Sequence, residues 1–216
     1  NNSTNNIVEN LSFYFEVNGV AMFAKGANYI PPDAFDDRIT DDLYRAIVET
    51  STDVNMNMLR VWGGGEYSPD VFYDTCDEMG ILVWQEFMFA CAMYPVTGKF
   101  LDTVTEELKI QIRRLAHHPS IVLWSGNNEN EAALYGLTWF PQVITPTNKM
   151  IYVVDYAKLY FDTVRVTLLR EDTSRDFWPS SPSKGVMTMP NDQQFYVSRW
   201  GNPGDGSSGD VHYYNY

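Results

Sequence analysis

Short apolar runs alternate with longer stretches of helical periodicity along most of this chain of 216 residues. The runs Asn57–Trp62, Ile81–Trp84 and Ile121–Trp124 have the length and continuous hydrophobicity of strands that are buried on both faces. In the stretches between them, apolar residues recur every three or four positions, as on one face of a helix. This alternation predicts an α/β fold in which helical crossovers join the strands of a parallel sheet.

Start and stop signals place the predicted helices. Thr40 and Ser68 are the expected N-caps of the first two, and Gly80 is the expected end of the second. A capping box over Thr103–Glu106 is expected to begin the third, and the fourth is expected over Lys149–Leu169. The residues expected to face the core are, helix by helix, Leu43, Ala46, Ile47 and Thr50; Val71, Phe72, Thr75, Cys76 and Met79; Leu101, Val104, Leu108, Ile112 and Leu115; Ile151, Val154, Phe161, Val164 and Leu168.

The first part of the chain is typical of a hairpin that follows a polar lead-in. Residues 1–12 are polar and rich in Asn, as linkers are. An Asn18-Gly19 pair between the apolar segments Phe13–Val17 and Val20–Ala24 is typical of a tight hairpin turn. The second arm is expected to continue as the first strand of the sheet and to end near Asn28.

Polar residues follow four successive predicted strands, at Asn28, Trp62-Gly63, Glu86 and Asn128-Glu129. This pattern favours a (β/α)₈ TIM barrel over a doubly wound sheet, which usually carries a glycine-rich phosphate fingerprint after its first strand. Two weaker strand candidates follow, and they bring the expected number of strands to about six, whereas a closed barrel has eight. Residues 13–216 are therefore expected to form an incomplete barrel. The weaker candidates are Phe177–Ser181 and Gly209–Tyr213.

Two carboxylates at these strand ends point to glycoside hydrolysis. That reaction needs one carboxylic acid to protonate the leaving oxygen and a second carboxylate to attack the sugar or to activate water. Glu129, with the amide of Asn128 beside it, suits the acid/base role, although a Glu at this place can also cap the next helix. Glu86 is the second candidate, either for a sugar hydroxyl or for tuning Glu129, and a salt-bridged rim residue is the alternative. Glu131 is expected to face another direction.

Aromatic and histidine residues supply further candidates. Trp62, which precedes three glycines, and Trp139, which follows the fourth strand, are candidate sugar platforms, and a core position is the alternative for Trp62. Asp210 and His212 lie on the predicted strand Gly209–Tyr213, from which they can point into the site, but a hydrogen-bonded core imidazole is the default expectation for His212. The pair His117-His118 is expected to cap the C-terminal end of the third helix.

Composition excludes several other classes of function. A net charge of −13 argues against nucleic acid or an anionic membrane as a partner, and no apolar run is long enough to span a bilayer. Cys76 and Cys91 are expected to be free, buried thiols. Neither a metal site, a cofactor site nor a Ser-His-Asp triad is indicated. Glycosylation tripeptides at Asn1, Asn2 and Asn10 favour a secretory or lysosomal route.

Five segments, taken together and in this order, resemble the catalytic domain of β-mannosidases of glycoside hydrolase family 2, with the animal lysosomal type the most similar. The resemblance extends from about Phe13 to Tyr216. The segments are Lys25–Asp33, Arg60–Gly65, Trp84–Phe87, Trp124–Asn130 and Gly209–His212.

The resemblance implies a (β/α)₈ barrel with Glu129 as the acid/base and Asn128 as its substrate-orienting neighbour. It also implies that a second Glu beyond Tyr216 is the nucleophile, so that this chain alone is expected to be inactive. Jelly-roll and sandwich domains precede the barrel in such enzymes and are expected as partners in the parent chain. The residues expected to contact mannose or to orient the nucleophile are Trp62, Glu86, Trp139, Asn28, His212 and Tyr216.

The expected activity is that of a retaining exo-β-mannosidase, which removes terminal β-D-mannose from the non-reducing end of oligosaccharides without a cofactor. Two alternatives remain open. One is a related glycosidase of the same family, such as a β-glucuronidase, a β-galactosidase or an endo-β-mannosidase. The other is a carbohydrate-binding product without catalytic activity.

Overall fold

The structure is a computed structural model, and it describes residues 13–136, 144–145, 147–184, 186–188, 194–196 and 209–214. The predictions for the lead-in of residues 1–12, including the glycosylation tripeptides at Asn1, Asn2 and Asn10, fall outside these residues. So do the predictions for Trp139 and Tyr216.

A two-stranded antiparallel hairpin opens the described chain. Its strands are β1, Phe15–Val17, and β2, Val20–Met22. Asn18 and Gly19 both have positive φ angles, 52° and 78°, and this matches a tight turn with the twist that hairpins favour. The predicted hairpin is confirmed, but its second arm ends at Met22 and does not continue into the sheet.

The centre of the fold is a five-stranded parallel sheet in which each strand pairs with the next one along the chain. This uninterrupted order differs from a doubly wound sheet, whose strand order reverses at a switch point. The predicted α/β fold with a parallel sheet is confirmed, whereas the described residues form no closed barrel. The strands are β3, Gly26–Tyr29; β4, Met58–Val61; β5, Leu82–Glu86; β6, Ile121–Ser125; and β7, Phe177–Trp178.

The C-terminal part of the described chain differs from the prediction. A second antiparallel hairpin, β8 (Val186–Thr188) with β9 (Gln194–Tyr196), follows the sheet and was not expected. The predicted strand Gly209–Tyr213 is wrong, because these residues have no regular structure. Their backbone is held by contacts with the segment after β7, where the N–H of Asp210 donates to the carbonyl of Ser183 at 3.1 Å.

Helices join the strands in the expected places. A short 3₁₀ turn, Asp36–Arg38, precedes α1, and a π-helical turn, Tyr160–Arg165, joins α5 to α6 into one continuous helical stretch. Among the described residues no helix is both long enough and apolar enough to cross a bilayer. The helices are α1, Asp41–Asp53; α2, Asp70–Met79; α3, Gly98–Leu115; α4, Asn130–Gly136; α5, Lys149–Leu159; and α6, Val166–Glu171.

Some of the helix signals are confirmed. The hydroxyl oxygen of Thr40 accepts from the N–H of Leu43 at 3.3 Å, as expected of an N-cap. Gly80 ends α2 with a φ of 71°, a left-handed conformation in which glycine has no Cβ to strain. The N-cap of α2, however, is Pro69 and not Ser68.

The predicted capping box at Thr103–Glu106 is wrong. Helix α3 begins earlier, at Gly98, where the side chain of Thr97 caps it by accepting from the N–H of Phe100 at 3.4 Å. Thr103 lies inside the helix, and its hydroxyl donates to the carbonyl of Lys99 one turn back at 3.0 Å. Threonine makes this internal bond as readily as it caps, so its position in the sequence does not decide between them.

The buried faces of α1, α2 and the last helical stretch also differ from the prediction. In α1 the core residues are Tyr44, Val48 and Ser51, whereas Leu43, Ala46 and Thr50 are exposed. Tyr73 is buried in α2 while Met79 is exposed, and in α5 both Ile151 and Val154 are exposed. The stripe of α3 is confirmed for Val104, Leu108, Ile112 and Leu115, and that of the last stretch for Val164 and Leu168.

Hydrophobic residues cover both faces of the sheet. The helices pack on one face in a large cluster that includes Val83 and Trp124. On the other face Met58, Trp84 and Leu123 form a smaller cluster, which Phe13 and Phe15 cover from the N-terminal side. Because side chains alternate along a strand, this second face continues towards the strand ends as the surface that carries the polar residues.

Candidate active site

The carboxyl ends of the parallel strands place four polar side chains on the same face. Asn28 on β3 is in register with Arg60 on β4, and Glu86 on β5 is in register with Ser125 on β6. Arg60, Glu86 and Ser125 each come two residues after a member of the smaller hydrophobic cluster, such as Trp84 before Glu86, and therefore share its face of the sheet. The sequence thus brings Asn28 and Glu86 to the same edge, as expected from their strand-end positions.

Arg60 is the centre of the hydrogen bonds at this edge. Its Nε and Nη2 donate to Oε1 of Glu86 at 3.2 and 2.9 Å, and its Nη1 donates to Oδ1 of Asn28 at 2.7 Å. Nη2 also donates to Oδ1 of Asn128 at 2.6 Å. Sequence reasoning gave Arg60 no role, although a cation inside an otherwise apolar strand signals a buried carboxylate partner.

Glu86 is buried and its carboxylate is fully engaged. Besides Arg60, it accepts from the backbone N–H of Gly63 at 2.9 Å and from the Ser125 hydroxyl at 3.2 Å. Burial raises the pKa of Glu86, and the charge of Arg60 and these hydrogen bonds oppose the increase only in part. Glu86 is therefore salt-bridged to Arg60, as in the alternative, but it is buried and does not lie at the rim.

Glu129 lies at the turn between β6 and α4. Its neighbour Asn128 forms bridges with both Ala90 and Ser181, and the N–H of Glu129 donates to the Ser181 carbonyl at 2.8 Å. Glu129 has a φ of 64°, a left-handed conformation that side chains other than Asn and Asp seldom adopt. The bridges on both sides hold this strained turn, which directs the carboxyl group to the edge with the other polar residues.

The carboxyl group of Glu129 has three neighbours. Oε1 lies 2.6 Å from Nδ1 of His212 and 3.5 Å from the hydroxyl of Tyr214, and Oε2 lies 3.7 Å from the thiol of Cys91. Burial raises the pKa of Glu129, but the bond and charge of His212, together with the Cys91 thiol and the charge of Arg60, lower it below its ordinary value overall.

The amide of Asn128 is oriented by its neighbours on both sides. Its oxygen accepts from Arg60, and its Nδ2 donates to Sγ of Cys91 at 3.3 Å. Cys91 itself has a positive φ of 48°, which turns the chain after β5 towards Glu129. Sequence reasoning treated Cys91 only as a free thiol and missed this contact.

A chain of hydrogen bonds connects His212 to the segment after β7. The Nε2 atom of His212 lies 2.9 Å from the hydroxyl of Ser181, which donates to Oδ2 of Asp210 at 2.6 Å. Oδ1 of Asp210 accepts from Nε1 of Trp178 and from the N–H of Ser183, both at 2.8 Å. His212 thus lies beside Glu129 without the strand that was predicted to carry it, whereas the carboxylate of Asp210 is bound to the segment after β7.

Trp62 is half-buried at the end of β4, with its ring against the backbone of Gly64. A Cβ built on Gly64 would lie 2.1 Å from the indole, so only glycine allows this packing. Glu131 is buried in the first turn of α4. Trp139 and Tyr216 lie outside the described part of the chain.

The two cysteines are free, as expected, and Cys76 is buried whereas Cys91 is only partly so. Among the described residues one group has the composition of a metal site, since ligand atoms of Asp74, Asp77 and His118 lie within 4.8 Å of one another. Asp77 already accepts from the N–H of Ser120 at 2.9 Å and lies 2.7 Å from Nδ1 of His118. This group fixes the turn before β6, at the opposite end of the sheet.

The prediction that His117-His118 caps α3 is wrong for His118. Its ring is buried against Tyr73 and is bound to Asp77 of α2, so it serves the contact between two helices. Burial raises the pKa of Asp77, but the bonds from Ser120 and His118 outweigh this and lower it overall.

Comparisons with known proteins give similarity along nearly the whole chain, although no protein-family model matches it. The β-mannosidase of Rattus norvegicus is 48% identical over 206 residues, and β-mannosidase A of Emericella nidulans is 39% identical over 212 residues. These matches cover 95% and 97% of this chain. They cover 22% of each relative. The chain is homologous to one segment of the β-mannosidases.

A solved β-mannosidase structure superposes on most of this chain. The β-D-mannosidase of Dictyoglomus thermophilum superposes with a TM-score of 0.73 at 43% identity, over 82% of this chain and 21% of that one. A β-glucuronidase of Bacteroides uniformis superposes with a TM-score of 0.64 at 22% identity, over 77% of this chain and 19% of that one. The second likeness concerns the fold alone. The chain therefore spans about a fifth of the length of the β-mannosidases that it matches.

Proposed function

We propose that this chain is part of the catalytic domain of a retaining exo-β-mannosidase, which hydrolyses terminal β-D-mannose residues of oligosaccharides. The observation that carries the proposal is the position of Glu129. Its carboxyl group is fixed at the carboxyl end of β6 by a strained turn and by His212, in a chain homologous to β-mannosidases along nearly its whole length.

Glu129 is the proposed acid/base. In a retaining mechanism it protonates the glycosidic oxygen while a second carboxylate attacks the anomeric carbon, and it then deprotonates the water that releases the sugar. In the described surroundings the pKa of Glu129 is lowered, which favours the ionised form. A nucleophilic carboxylate about 5–5.5 Å away would raise it, because like charges disfavour each other's ionisation. The proposed nucleophile lies in the part of the enzyme after Tyr216. By raising the pKa of Glu129, it would also keep Glu129 protonated, as an acid catalyst must be.

The residues around Glu129 are the proposed sugar-binding surface. Asn128 keeps its amide beside the carboxyl group, held by Arg60 and Cys91, where it can bond a sugar hydroxyl. Asn28 and His212 border the same edge, and the half-buried ring of Trp62 offers a face for stacking. Glu86 contributes by holding Arg60, because its oxygens already accept four hydrogen bonds. Trp139 as a platform and Tyr216 as a partner of the nucleophile complete the proposal.

The five-stranded sheet is proposed to be part of a (β/α)₈ barrel. Its consecutive parallel order supports this, as does the superposition on the Dictyoglomus thermophilum β-D-mannosidase. The remaining strands, the nucleophile and the jelly-roll and sandwich domains would come from other parts of the intact enzyme. A secretory or lysosomal location is part of the proposal and is supported by the glycosylation tripeptides at Asn1, Asn2 and Asn10.

A panel of aryl glycosides incubated with the intact protein that contains this chain tests the proposal. The panel contains the β-mannoside, β-glucuronide, β-galactoside and β-glucoside of one leaving group, and proton NMR follows the anomer that is released. We expect hydrolysis of the β-mannoside with β-mannose as the first product. Preference for another sugar would identify a related glycosidase instead, and binding of mannosides without cleavage would indicate a carbohydrate-binding protein.

A further inference from the structure

We infer that Ser181 and Asp210 are positioning residues, which fix the tautomer of His212 so that His212 and Glu129 together hold the proton used in catalysis. The inference rests on the proposed function and extends it to residues that do not touch the sugar. The contacts that carry it form one continuous line, from Trp178 through Asp210, Ser181 and His212 to Glu129.

The direction of each hydrogen bond follows from the groups at the far end of this line. The indole N–H of Trp178 and the backbone N–H of Ser183 can only donate, so Oδ1 of Asp210 accepts from both. The hydroxyl of Ser181 has one hydrogen, and it points to Oδ2 of Asp210 at 2.6 Å. The lone pairs of the Ser181 oxygen are then left for His212.

His212 must therefore carry a hydrogen on Nε2, which donates to Ser181 at 2.9 Å. With that nitrogen occupied, the neutral imidazole presents a bare Nδ1 to Oε1 of Glu129 at 2.6 Å. A contact this short needs one hydrogen between the two atoms. Glu129 supplies it as a carboxylic acid, or His212 supplies it as an imidazolium beside a carboxylate, and in both cases the pair holds one proton.

The shared proton has a defined course through both steps. In the first, it passes to the glycosidic oxygen as the bond between that oxygen and the anomeric carbon breaks, with the bonding electrons leaving on oxygen, while a second carboxylate forms its bond to the carbon. In the second, water forms a bond to the anomeric carbon, the carboxylate leaves, and the proton lost by water returns to the pair.

Charged and titratable groups from several elements act on this pair. Asp210 accepts the hydrogen of the Ser181 hydroxyl, so the Ser181 oxygen accepts from Nε2 of His212 and keeps Nδ1 directed at Glu129. Removing the hydroxyl should make the pair lose that proton at lower pH. The groups that also face the pair are Cys91, Tyr214, Arg60 and Glu86.

The test compares two β-mannosides in the intact protein, one with a leaving group that needs protonation and one with an activated dinitrophenyl leaving group that does not. For Ser181→Ala we expect kcat/KM on the first substrate to fall about tenfold, with little change on the second. The basic limb of the pH profile should move to lower pH. Asp210→Asn should act in the same direction, and Ser181→Thr, which keeps the hydroxyl, should restore both the rate and the profile.

A merely structural role for Ser181 predicts a different pattern. Equal losses on the two substrates, or an unmoved basic limb in both Ser181→Ala and Asp210→Asn, would overturn this inference while leaving the proposed function in place. If the unmodified protein hydrolysed neither substrate, the proposed function would fail and this inference with it. Circular dichroism of each variant identifies any that does not fold. If Ser181→Ala does not fold, Ser181→Thr decides the question. A folded Ser181→Thr protein that does not keep the wild-type pH profile would contradict the inference.

Discussion

Arg60 reaches across β5 and donates from Nη2 to Oδ1 of Asn128 at 2.6 Å. Its Nε donates to Glu86 and its Nη1 donates to Asn28. The guanidinium thus connects the ends of β3, β4, β5 and β6. A residue without contact to the carboxyl group of Glu129 determines where the neighbouring amide of Asn128 points.

Removing Arg60 should destabilise the fold as well as the site. In Arg60→Met the buried Glu86 carboxylate loses its charged partner, and we expect the free energy of unfolding to fall by about 3–5 kcal/mol. Urea unfolding followed by tryptophan fluorescence measures this. Arg113→Met is the matched control, because Arg113 pairs with Glu171 at the surface and its loss should change stability little. Equal effects of the two substitutions would contradict the buried-pair account.

Gly63 should not tolerate a side chain. A Cβ at this position would lie 2.6 Å from the carbonyl oxygen of Phe87 and 2.7 Å from that of Phe89, and backbone cannot move aside cheaply. We expect Gly63→Ala to lower the free energy of unfolding by about 1–3 kcal/mol. At Gly98, by contrast, a Cβ meets nothing within 4 Å, so Gly98→Ala should be neutral or slightly stabilising. Urea titrations measure the free energy of unfolding of the two variants. Equal values would contradict the close packing around Gly63.

Asp172 should make stability depend on pH. Burial raises its pKa, but bonds from Ser174, from the Trp124 indole and from Arg175 outweigh burial and lower it overall. Since the folded-state pKa is below the unfolded value of about 4, the carboxylate stabilises the fold above that pH and loses this effect as the pH falls through the folded value.

Asp172→Asn should therefore lower the free energy of unfolding by about 1–3 kcal/mol at pH 7. The difference from the unmodified protein should decrease steadily below pH 4, and unfolding measurements between pH 3 and 7 follow it. A difference that grows on acidification would have the wrong sign for a lowered pKa.

Thiol labelling should separate the two cysteines. Burial raises the pKa of Cys76 to about 12 and, together with the charge of Glu129, raises the pKa of Cys91. Neither thiol should react fast with iodoacetamide at pH 7, but the partly exposed Cys91 should react first and Cys76 only on unfolding. An adduct on Cys91 should also reduce β-mannoside hydrolysis, because it lies beside Glu129. Peptide mass spectrometry checks the order, with Cys76→Ala as the control, and faster reaction of Cys76 would contradict it.

The order of strands and helices could be predicted because each of these elements has a local signal in the sequence. Thr40 and Gly80 mark helix ends by side-chain chemistry and backbone freedom, and both are confirmed. The position of Asn28, Glu86 and Glu129 at one edge also follows from local signals, since parallel strands bring their carboxyl ends together.

The faces of the helices were harder to predict, because periodicity shows which residues share a face and not which face is covered. In α1 the set of Tyr44 and Val48 and the set of Leu43 and Ala46 both have helical spacing, and packing against α2 buries the first. The π-helical turn Tyr160–Arg165 adds a residue to the helix, so the side chains of α5 are rotated about the helix axis relative to those of α6. Residues on either side of it therefore cannot keep one continuous stripe.

The partner of Glu129 could not be predicted from local sequence patterns. His212 is 83 residues away in the sequence and lies on a segment without regular structure, so no periodicity connects the two. Arg60 and Cys91 were missed for the same reason, since their roles depend on contacts with Asn128 and Glu129 that only the folded chain creates.

The proposed acid/base role of Glu129 is tested by Glu129→Gln in the intact protein. For a β-mannoside whose leaving group needs protonation, we expect kcat/KM to fall about 10²–10⁴-fold, while circular dichroism shows that the fold is intact. Glu106→Gln, at an exposed position on α3, should leave the rate unchanged. Activity of the Glu129→Gln protein close to that of the unmodified enzyme would contradict the assignment.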